Sequence, residues 1–376
     1  MKISVSAPAG LEGVTKRELY KLLGVDASAI NGRLVFDGDI ETIAKCNLFL
    51  RTASRVFIVL GGFKAQTFDE LFDGINNIPF EDYIDINGKI EVYGSAIESK
   101  LMAVSACSGV IKKAICKRLA NGKDLLENGE RYKIEYVIRR DYVTISLDTS
   151  GDGLHKRGYR KDLIGDAPLK ENVASALIQL SVWRENRVLV DLFCGSGTIP
   201  IEAGMIAKNI APGKFRDFDF LHYKKFDTSF FEEMKTTAIK NEKPCEDVKI
   251  FGFDIDEKQI NISRKHAKLA GVSDIIHFQR ADMRDFSSKA RYGVIISNPP
   301  YGERLLTRKE IVSLYRDLGE KFKSLNDFSM YILTSVTDFE KLVKKTADKK
   351  RKIYNGKLEC TYYTMLGAKP QKDENL

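Results

Sequence analysis

The residues best placed to do chemistry are Asn298, Pro299, Pro300 and Tyr301, which stop the apolar run Val294-Ile295-Ile296-Ser297. That run is short, rich in β-branched residues and ended by proline, so it predicts a buried strand with Asn298 at its carboxyl end. In an open α/β sheet, ligands bind at that edge. Two prolines remove two backbone donors and stiffen the turn, which leaves the carbonyls of Asn298 and Pro299 to face a ligand. Two fixed oxygen acceptors suit the two N–H bonds of an exocyclic amine. They aim the nitrogen lone pair at an electrophile and favour the positive charge that grows during attack. Tyr301 can stack on the flat base that carries the amine, a contact worth about 1–3 kcal/mol. The chemistry this implies is methylation of an amino group on a nucleobase. For the tetrad alone, a plain strand-terminating turn is the alternative.

An electrophile needs its own site, and the upstream sequence offers one. The segment from Arg187 to Gly204 predicts strand, glycine turn and helix. Gly195 and Gly197 let the backbone approach a ligand, and Thr198 opens a helix whose N–H groups can receive a polar group. Pro200 stands where the dinucleotide fingerprint has its third glycine, which argues against NAD or FAD. Asp191, at the strand end, either receives the ammonium of a methionine moiety or only caps the turn. Val248 to Phe253 predicts a second strand, ending in Asp254-Ile255-Asp256, where a carboxylate can accept both hydroxyls of a ribose. Ile275 to Gln279 predicts a third, leading to Asp282 and Met283, where Asp282 can accept from an adenine amino group. Each acid alone is commonly a turn residue. Four strand ends in the order glycine turn, ribose acid, adenine acid and Asn-Pro-Pro-Tyr together form a site.

From about Asp166 onward the chain resembles the S-adenosylmethionine-dependent methyltransferase fold. Asp191, Phe193, Gly195, Ser196 and Gly197 match its first motif, Asp254 its ribose acid, Asp282 its adenine acid and Asn298 to Tyr301 its amino-methylating signature. A larger match, covering nearly the whole chain, is to THUMP-domain RNA methyltransferases that make N2-methylguanosine. It rests on Gly153-Leu-His-Lys-Arg-Gly-Tyr-Arg160, Ala167-Pro-Leu-Lys-Glu-Asn172 and Asn298-Pro-Pro-Tyr-Gly-Glu-Arg304. The resemblance implies an α/β, Rossmann-like catalytic domain behind an α+β ferredoxin-like unit and a THUMP domain, divided as 1–54, 55–154, a basic linker 155–165 and 166–376. S-adenosylmethionine is the implied cofactor, and N2 of a guanine in structured RNA the implied acceptor, 23S ribosomal RNA ahead of transfer RNA. Asn298, Pro299 and Tyr301 would be catalytic. Lys170, Asn172, Asp191, Phe193, Gly195, Ser196, Gly197, Thr198, Asp254, Ile255, Asp282, Met283 and Asn298 would hold the cofactor. Tyr301 and Arg304 would meet the substrate. The rivals are DNA adenine-N6 or protein glutamine methylation, which share the tetrad, and a non-catalytic RNA-binding assembly factor.

Composition narrows the classes further. At 376 residues and 43% hydrophobic, the chain can build two or more cored domains. A net charge of +8 is moderate for that length, so local distribution says more than the total. His155 to Lys161 sets Lys156, Arg157, Arg160 and Lys161 around Tyr159, a composition suited to phosphate contacts and base stacking, or to a solvated linker. The run from Lys344 to Lys352 predicts a solvated helix face that could flank an RNA path. Met1 to Pro8 has no sustained apolar core and no stretch is long enough to span a bilayer, so a cytoplasmic protein without membrane contact is expected. Six cysteines without a Cys-x-x-Cys pair predict reduced thiols and no metal. Cys360 could serve as a nucleophile toward a pyrimidine, although core packing is the favoured reading.

The elements that must position the site follow from periodicity. Strands are expected at Ile3 to Ser6, Asn31 to Phe36, Val56 to Leu60, Lys89 to Val92, Tyr132 to Ile138 and Tyr142 to Asp148, the last two as a hairpin. Helices are expected at Gly10 to Leu23, Thr67 to Ile75 and Ser105 to Leu119. The last carries Lys112, Lys113, Lys117 and Arg118 beside Ile111, Ala114 and Ile115. A further helix should begin near Asp166 and Pro168. The stretch from Ala211 to Tyr223, crowded with aromatics, predicts a flap over the substrate, unless its rings pack against a sheet.

Overall fold

The computed structural model describes residues 1–30, 32–120, 125–160, 168–301, 307–325, 327–356 and 358–369. The chain order is β1 (Lys2–Ser6), α1 (Glu12–Leu23), β2 (Ser28–Ile30), β3 (Arg33–Asp37), α2 (Ile40–Phe49), β4 (Arg55–Lys64), α3 (Phe68–Asn76), β5 (Lys89–Ile97), α4 (Val104–Ala120), β6 (Arg131–Arg139), β7 (Tyr142–Asp148), α5 (Glu171–Leu180), β8 (Leu189–Asp191), α6 (Thr198–Ala207), α7 (Phe231–Lys240), β9 (Ile250–Asp254), α8 (Glu257–Ala270), β10 (Ile276–Arg280), β11 (Val294–Ser297), α9 (Arg308–Ser324), β12 (Ser329–Thr334), α10 (Phe339–Val343), β13 (Lys349–Asn355) and β14 (Leu358–Met365). The chain forms two compact units, and it changes unit more often than a linear division allows. Pro8–Glu18 belong with the second unit, and Arg216–Lys235 with the first.

The first unit is built on one seven-stranded sheet in the order β2-β3-β1-β4-β7-β6-β5. β1 pairs antiparallel with both β3 and β4, so the ferredoxin-like and THUMP portions share a continuous sheet. Strict alternation in β6 buries Tyr132, Ile134, Tyr136 and Ile138 on one face. On α4, Ile111, Ala114 and Ile115 are buried, while Lys112 pairs with Glu127 (2.9 Å) and Arg118 with Glu81 (2.5 Å).

The aromatic segment contributes to this core instead of forming a flap. Tyr223 stacks on Tyr132 with ring centroids 4.6 Å apart, and its hydroxyl donates to the Asp148 carbonyl at 2.6 Å. Phe231 meets Phe218 and Phe220 edge-on. Lys133 closes the contact by pairing with Asp219 at 3.3 Å. Rings that bury this much area belong in a core, and no sequence rule says which core.

The second unit is a seven-stranded sheet in the order β10-β9-β8-β11-β12-β14-β13. Its first five strands are parallel, and β14 runs antiparallel to both neighbours. Alternate residues feed two apolar layers: Leu189, Val294, Ile296 and Leu333 lie on one face, Val190, Ile295, Met330 and Ile332 on the other. The order reverses between β8 and β11, and such a switch point opens a crevice at the carboxyl ends of the strands. Two expectations are corrected here. The helix expected from Asp166 begins at Glu171 with Lys170 as its N-cap residue, Pro168 lies before it, and Asp166 is outside the described residues. The run Lys349–Lys352 is edge strand rather than helix, because Ile353 opposite Cys360 anchors it in register with β14.

Candidate active site

A cavity of about 790 Å3 opens at the carboxyl ends of β8, β9 and β11, within the usual range for ligand sites. Asp191, Phe193, Gly195, Ser196, Thr198, Asp254, Ile255, Asp282, Met283, Asn298, Pro299 and Tyr301 all line it. The strand ends expected from sequence are therefore brought to one place.

The glycine turn is held from both sides. Cys194 N–H donates to the Phe253 carbonyl at 2.8 Å, and Gly195 N–H donates to Asp254 Oδ2 at 2.9 Å. Nδ1 of buried His266 donates to the Ser196 carbonyl at 3.1 Å. Gly197 has φ +85°, and a Cβ there would lie 2.9 Å from Ser263 Cβ, so it serves close packing rather than the ligand. Among the described residues, nothing lies within 4 Å of a Cβ built on Gly195, which leaves open space there.

Of the acids that line the cavity, the three expected from sequence have different surroundings. Asp191 is fully buried, accepts from Phe193 N–H at 3.1 Å and from the Ser297 hydroxyl, and burial pushes its pKa up to about 7. Asp254 is also raised by burial, against the hydrogen bonds from Gly195 and Asp256 N–H groups. Asp282 caps its turn by accepting from Arg284 N–H at 2.9 Å, and its Oδ2 meets Arg284 Nη1 at 2.8 Å. Arg284 also donates from Nε to Asp317 at 2.7 Å, so a ligand amino group would share Asp282 with a guanidinium.

At the other end of the cavity stands Asn298. Among the described residues its buried Oδ1 has no hydrogen-bond partner, a condition that is unfavourable unless a ligand N–H supplies one. Tyr301 is partly buried and anchored by its hydroxyl, which accepts from Asn355 Nδ2 at 3.4 Å and from Cys360 Sγ at 3.8 Å. Burial pushes its phenol up to about 12, so it remains a neutral ring. The Pro300 carbonyl is bound by the Tyr315 hydroxyl at 3.5 Å, which fixes the turn. Cys360 and Cys194 are buried with raised thiol pKa values, so packing is their role.

Some expected contacts lie elsewhere. Lys170 is exposed and Asn172 buried in the first turn of α5, and neither lines the cavity. Arg157 and Tyr159 are each 1% exposed, which removes both side chains from contact with a polyanion. Arg157 pairs with Glu202 of α6 at 3.2 Å, and Ser175 of α5 also donates to Glu202. Arg160 pairs with Glu171 of α5 at 3.1 Å and donates to Thr198, the first residue of α6. The basic loop is thus a brace between the helices behind the glycine turn. Lys156 is exposed, and Arg304 lies outside the described residues. Gln259, Arg284, Ser313, Leu314 and Asn355 also line the cavity, and no motif in the sequence singles them out. Asn355-Gly356 is a hairpin signal, but nothing local in it points to a cavity.

The residues present fit S-adenosylmethionine. Gly195 leaves room, Asp191 and Asp254 offer acceptors for an ammonium and a ribose, and Asn298 faces the space beyond. Among the described residues there is no acidic, histidine and cysteine cluster able to hold a metal, and no helix long and apolar enough to cross a membrane.

Comparisons with known proteins agree with this geometry. Residues 157–364 match the RMKL-like methyltransferase domain, residues 2–57 the RlmL ferredoxin-like domain and residues 65–148 the THUMP domain. The chain is 40% identical, over 98% of its length and 96% of the other, to the Bacillus subtilis (strain 168) protein named "Putative RNA methyltransferase YpsC". It is 32% identical to "Ribosomal RNA large subunit methyltransferase K/L" of Shewanella amazonensis, matching over 98% of this chain but only 54% of that one, so it spans about half of that relative. The crystal structure of SMU.472, "a putative methyltransferase complexed with SAH", superposes with a TM-score of 0.92 at 41% identity, covering 98% of this chain and 99% of that one. The chain belongs to the RMKL-like family of S-adenosylmethionine-dependent methyltransferases, carrying the RlmL-type ferredoxin-like and THUMP domains ahead of the catalytic one.

Proposed function

We propose that this enzyme transfers a methyl group from S-adenosylmethionine to N2 of a guanine in structured RNA, large-subunit (23S) ribosomal RNA ahead of transfer RNA. The observation that carries the reading is the unpartnered, buried Asn298 Oδ1 in the same cavity as Asp191 and Asp254. The RNA class draws support from the THUMP domain and from the names of the relatives. Guanine draws its support from the family resemblance across the chain.

S-adenosylmethionine supplies an electrophilic methyl group on a sulfonium. Asp191 would take the methionine ammonium, Asp254 the ribose hydroxyls and Asp282 the adenine amine, with Phe193, Ile255 and Met283 packing around them. Asn298 Oδ1 and the Pro299 carbonyl would each accept one N–H of the target amine. That pairing directs the lone pair and stabilises the charge appearing on nitrogen, an effect typically worth about 10²- to 10³-fold per contact. Tyr301 would stack on the base, helping to offset the few kcal/mol needed to extrude it from RNA. The methylated cation is acidic enough to lose its proton to solvent. Lys156 and Arg304 remain candidates for RNA contact.

The test is incubation of the protein and its Asn298→Ala variant with isotope-labelled S-adenosylmethionine and unmodified ribosomal RNA, transfer RNA, DNA or protein, followed by mass spectrometry. Label in N2-methylguanosine of ribosomal RNA, lost in the variant while S-adenosylhomocysteine still binds, is the expected result. In parallel, Asp254→Ala should weaken cofactor binding, and equal effects from both substitutions would sink the division of roles. Label in adenine of DNA, or in protein, with none in RNA would overturn the reading.

A further inference from the structure

The outermost strand of the catalytic sheet is basic and leads into the cavity. β13 is an edge strand carrying Lys349, Lys350, Arg351 and Lys352 in succession, all exposed. Its last residue, Asn355, lines the cavity and donates to the hydroxyl of Tyr301. At about 3.3 Å per residue, the strand runs about 20 Å from Lys349 to Asn355, the length of several nucleotides. Period-2 geometry puts Lys350, Lys352 and the half-exposed Tyr354 on one face, away from buried Ile353. Two lysines and an exposed ring on one face combine phosphate contact with base stacking, while Asn355, on the opposite face with Lys349, Arg351 and Ile353, steadies Tyr301 at the strand's cavity end.

Other roles for these charges are weaker. Lysines on an edge strand also discourage pairing with other chains, yet here part of that edge is already met by residues 9 and 10. Tyr354 N–H donates to the Ala9 carbonyl at 3.4 Å and Arg351 Nη1 to the Gly10 carbonyl at 3.2 Å. The chain approaches so closely that a Cβ on Gly10, at φ +87°, would sit 2.2 Å from the Lys352 carbonyl oxygen. Two acids face the strand: Glu340 pairs with Lys350, and Glu359 meets Lys352 at 2.9 Å. Both pairs are exposed, so each is worth little and can be exchanged for a phosphate. Lys349 and Arg351 add to a local surplus of positive charge.

We infer that β13 is a guide for the RNA strand on the catalytic domain, its lysines holding phosphates that flank the target nucleotide while Asn355 and Tyr301 receive the base. The inference rests on the RNA reading above and names the surface that reading lacks, since the basic loop at 155–160 is largely buried.

The experiment measures methylation of ribosomal RNA by the full chain and by the triple variant Lys349→Ala, Lys350→Ala, Lys352→Ala, over a range of salt, with S-adenosylhomocysteine affinity as an independent readout. The expected result is a KM for RNA raised about tenfold, a log KM against log salt slope reduced by about 2, and unchanged S-adenosylhomocysteine binding. Arginine at the same three positions should restore the RNA KM. The opposite change, Glu340→Gln with Glu359→Gln, should lower it. An RNA KM within about twofold of wild type, with the same salt slope, overturns the guide while leaving the RNA reading intact. Absence of RNA methylation by the wild-type protein, with label in DNA or protein, overturns the RNA reading itself.

Discussion

Arg157 and Arg160 are 1% and 11% exposed with carboxylates of two helices against them, whereas Lys349 to Lys352 face solvent from the edge of the catalytic sheet. In composition the two segments are alike, short basic runs with a tyrosine within or just beyond them. What separates them is the supply of partners. Glu171 and Glu202 sit on α5 and α6 where the loop passes, and the loop can bury its guanidiniums only because those acids meet them. β13 has one buried residue, Ile353, holding its centre; Arg351 meets the Gly10 carbonyl, and the lysines are left to water, to Glu340 and Glu359, or to a ligand. A basic run therefore marks a polyanion surface only where the fold does not offer it a buried carboxylate.

The largest test of that contrast is Arg157→Ala. It leaves Glu202 buried without its guanidinium, and denaturant unfolding should show a loss of about 3–5 kcal/mol. A loss below about 1 kcal/mol would mean the loop is no brace.

An intermediate effect comes from a buried acid without an arginine. Asp191 is as deeply buried as Glu202, but its partners are an N–H group and a hydroxyl, and its pKa is pushed up to about 7. Because the folded value lies above the unfolded 3.8, the ligand-free protein holds an extra proton between about pH 4 and 7, and this group's contribution to stability declines as pH rises through that window. Its ionised form is the one that attracts an ammonium. Calorimetric affinity for S-adenosylhomocysteine should rise about tenfold from about pH 6 to 8, and Asp191→Asn should flatten that rise. A rise that persists in Asp191→Asn would assign it to another group.

The smallest expected effect is on stability at the edge strand. Replacing Lys349, Lys350 and Lys352 by alanine should change unfolding free energy by no more than about 1.5 kcal/mol in all, about 0.5 for each surface substitution. A loss comparable to that of Arg157→Ala would erase the contrast and make β13 structural too.

Much of the site is legible in the sequence, for local reasons. Proline at 299 and 300 can only end a strand there, glycine at 197 is required by a positive φ and by Ser263 packed against it, and a polar residue after an apolar run lands at a strand's carboxyl end. Four such ends, read from the sequence, line a single crevice. The helical reading of Lys344 to Lys352 fails because charge runs carry no period, and the pairing of Ile353 with Cys360 decides for strand. The start of α5 is not legible either, because Pro168 suits a first helical turn, yet the helix opens at Glu171.

Which residues end the strands of the catalytic sheet, and what chemistry they can do, follows from the amino-acid order alone, because turn chemistry and apolar alternation act between near neighbours. Long-range packing settles that Arg157 and Arg160 brace helices, that residues 216–235 join the first unit's core, and that Asn355 reaches Tyr301 from much later in the chain. Each of those depends on a partner distant in sequence, and which distant carboxylate, ring or hydroxyl meets a side chain is set by how the sheets and helices pack.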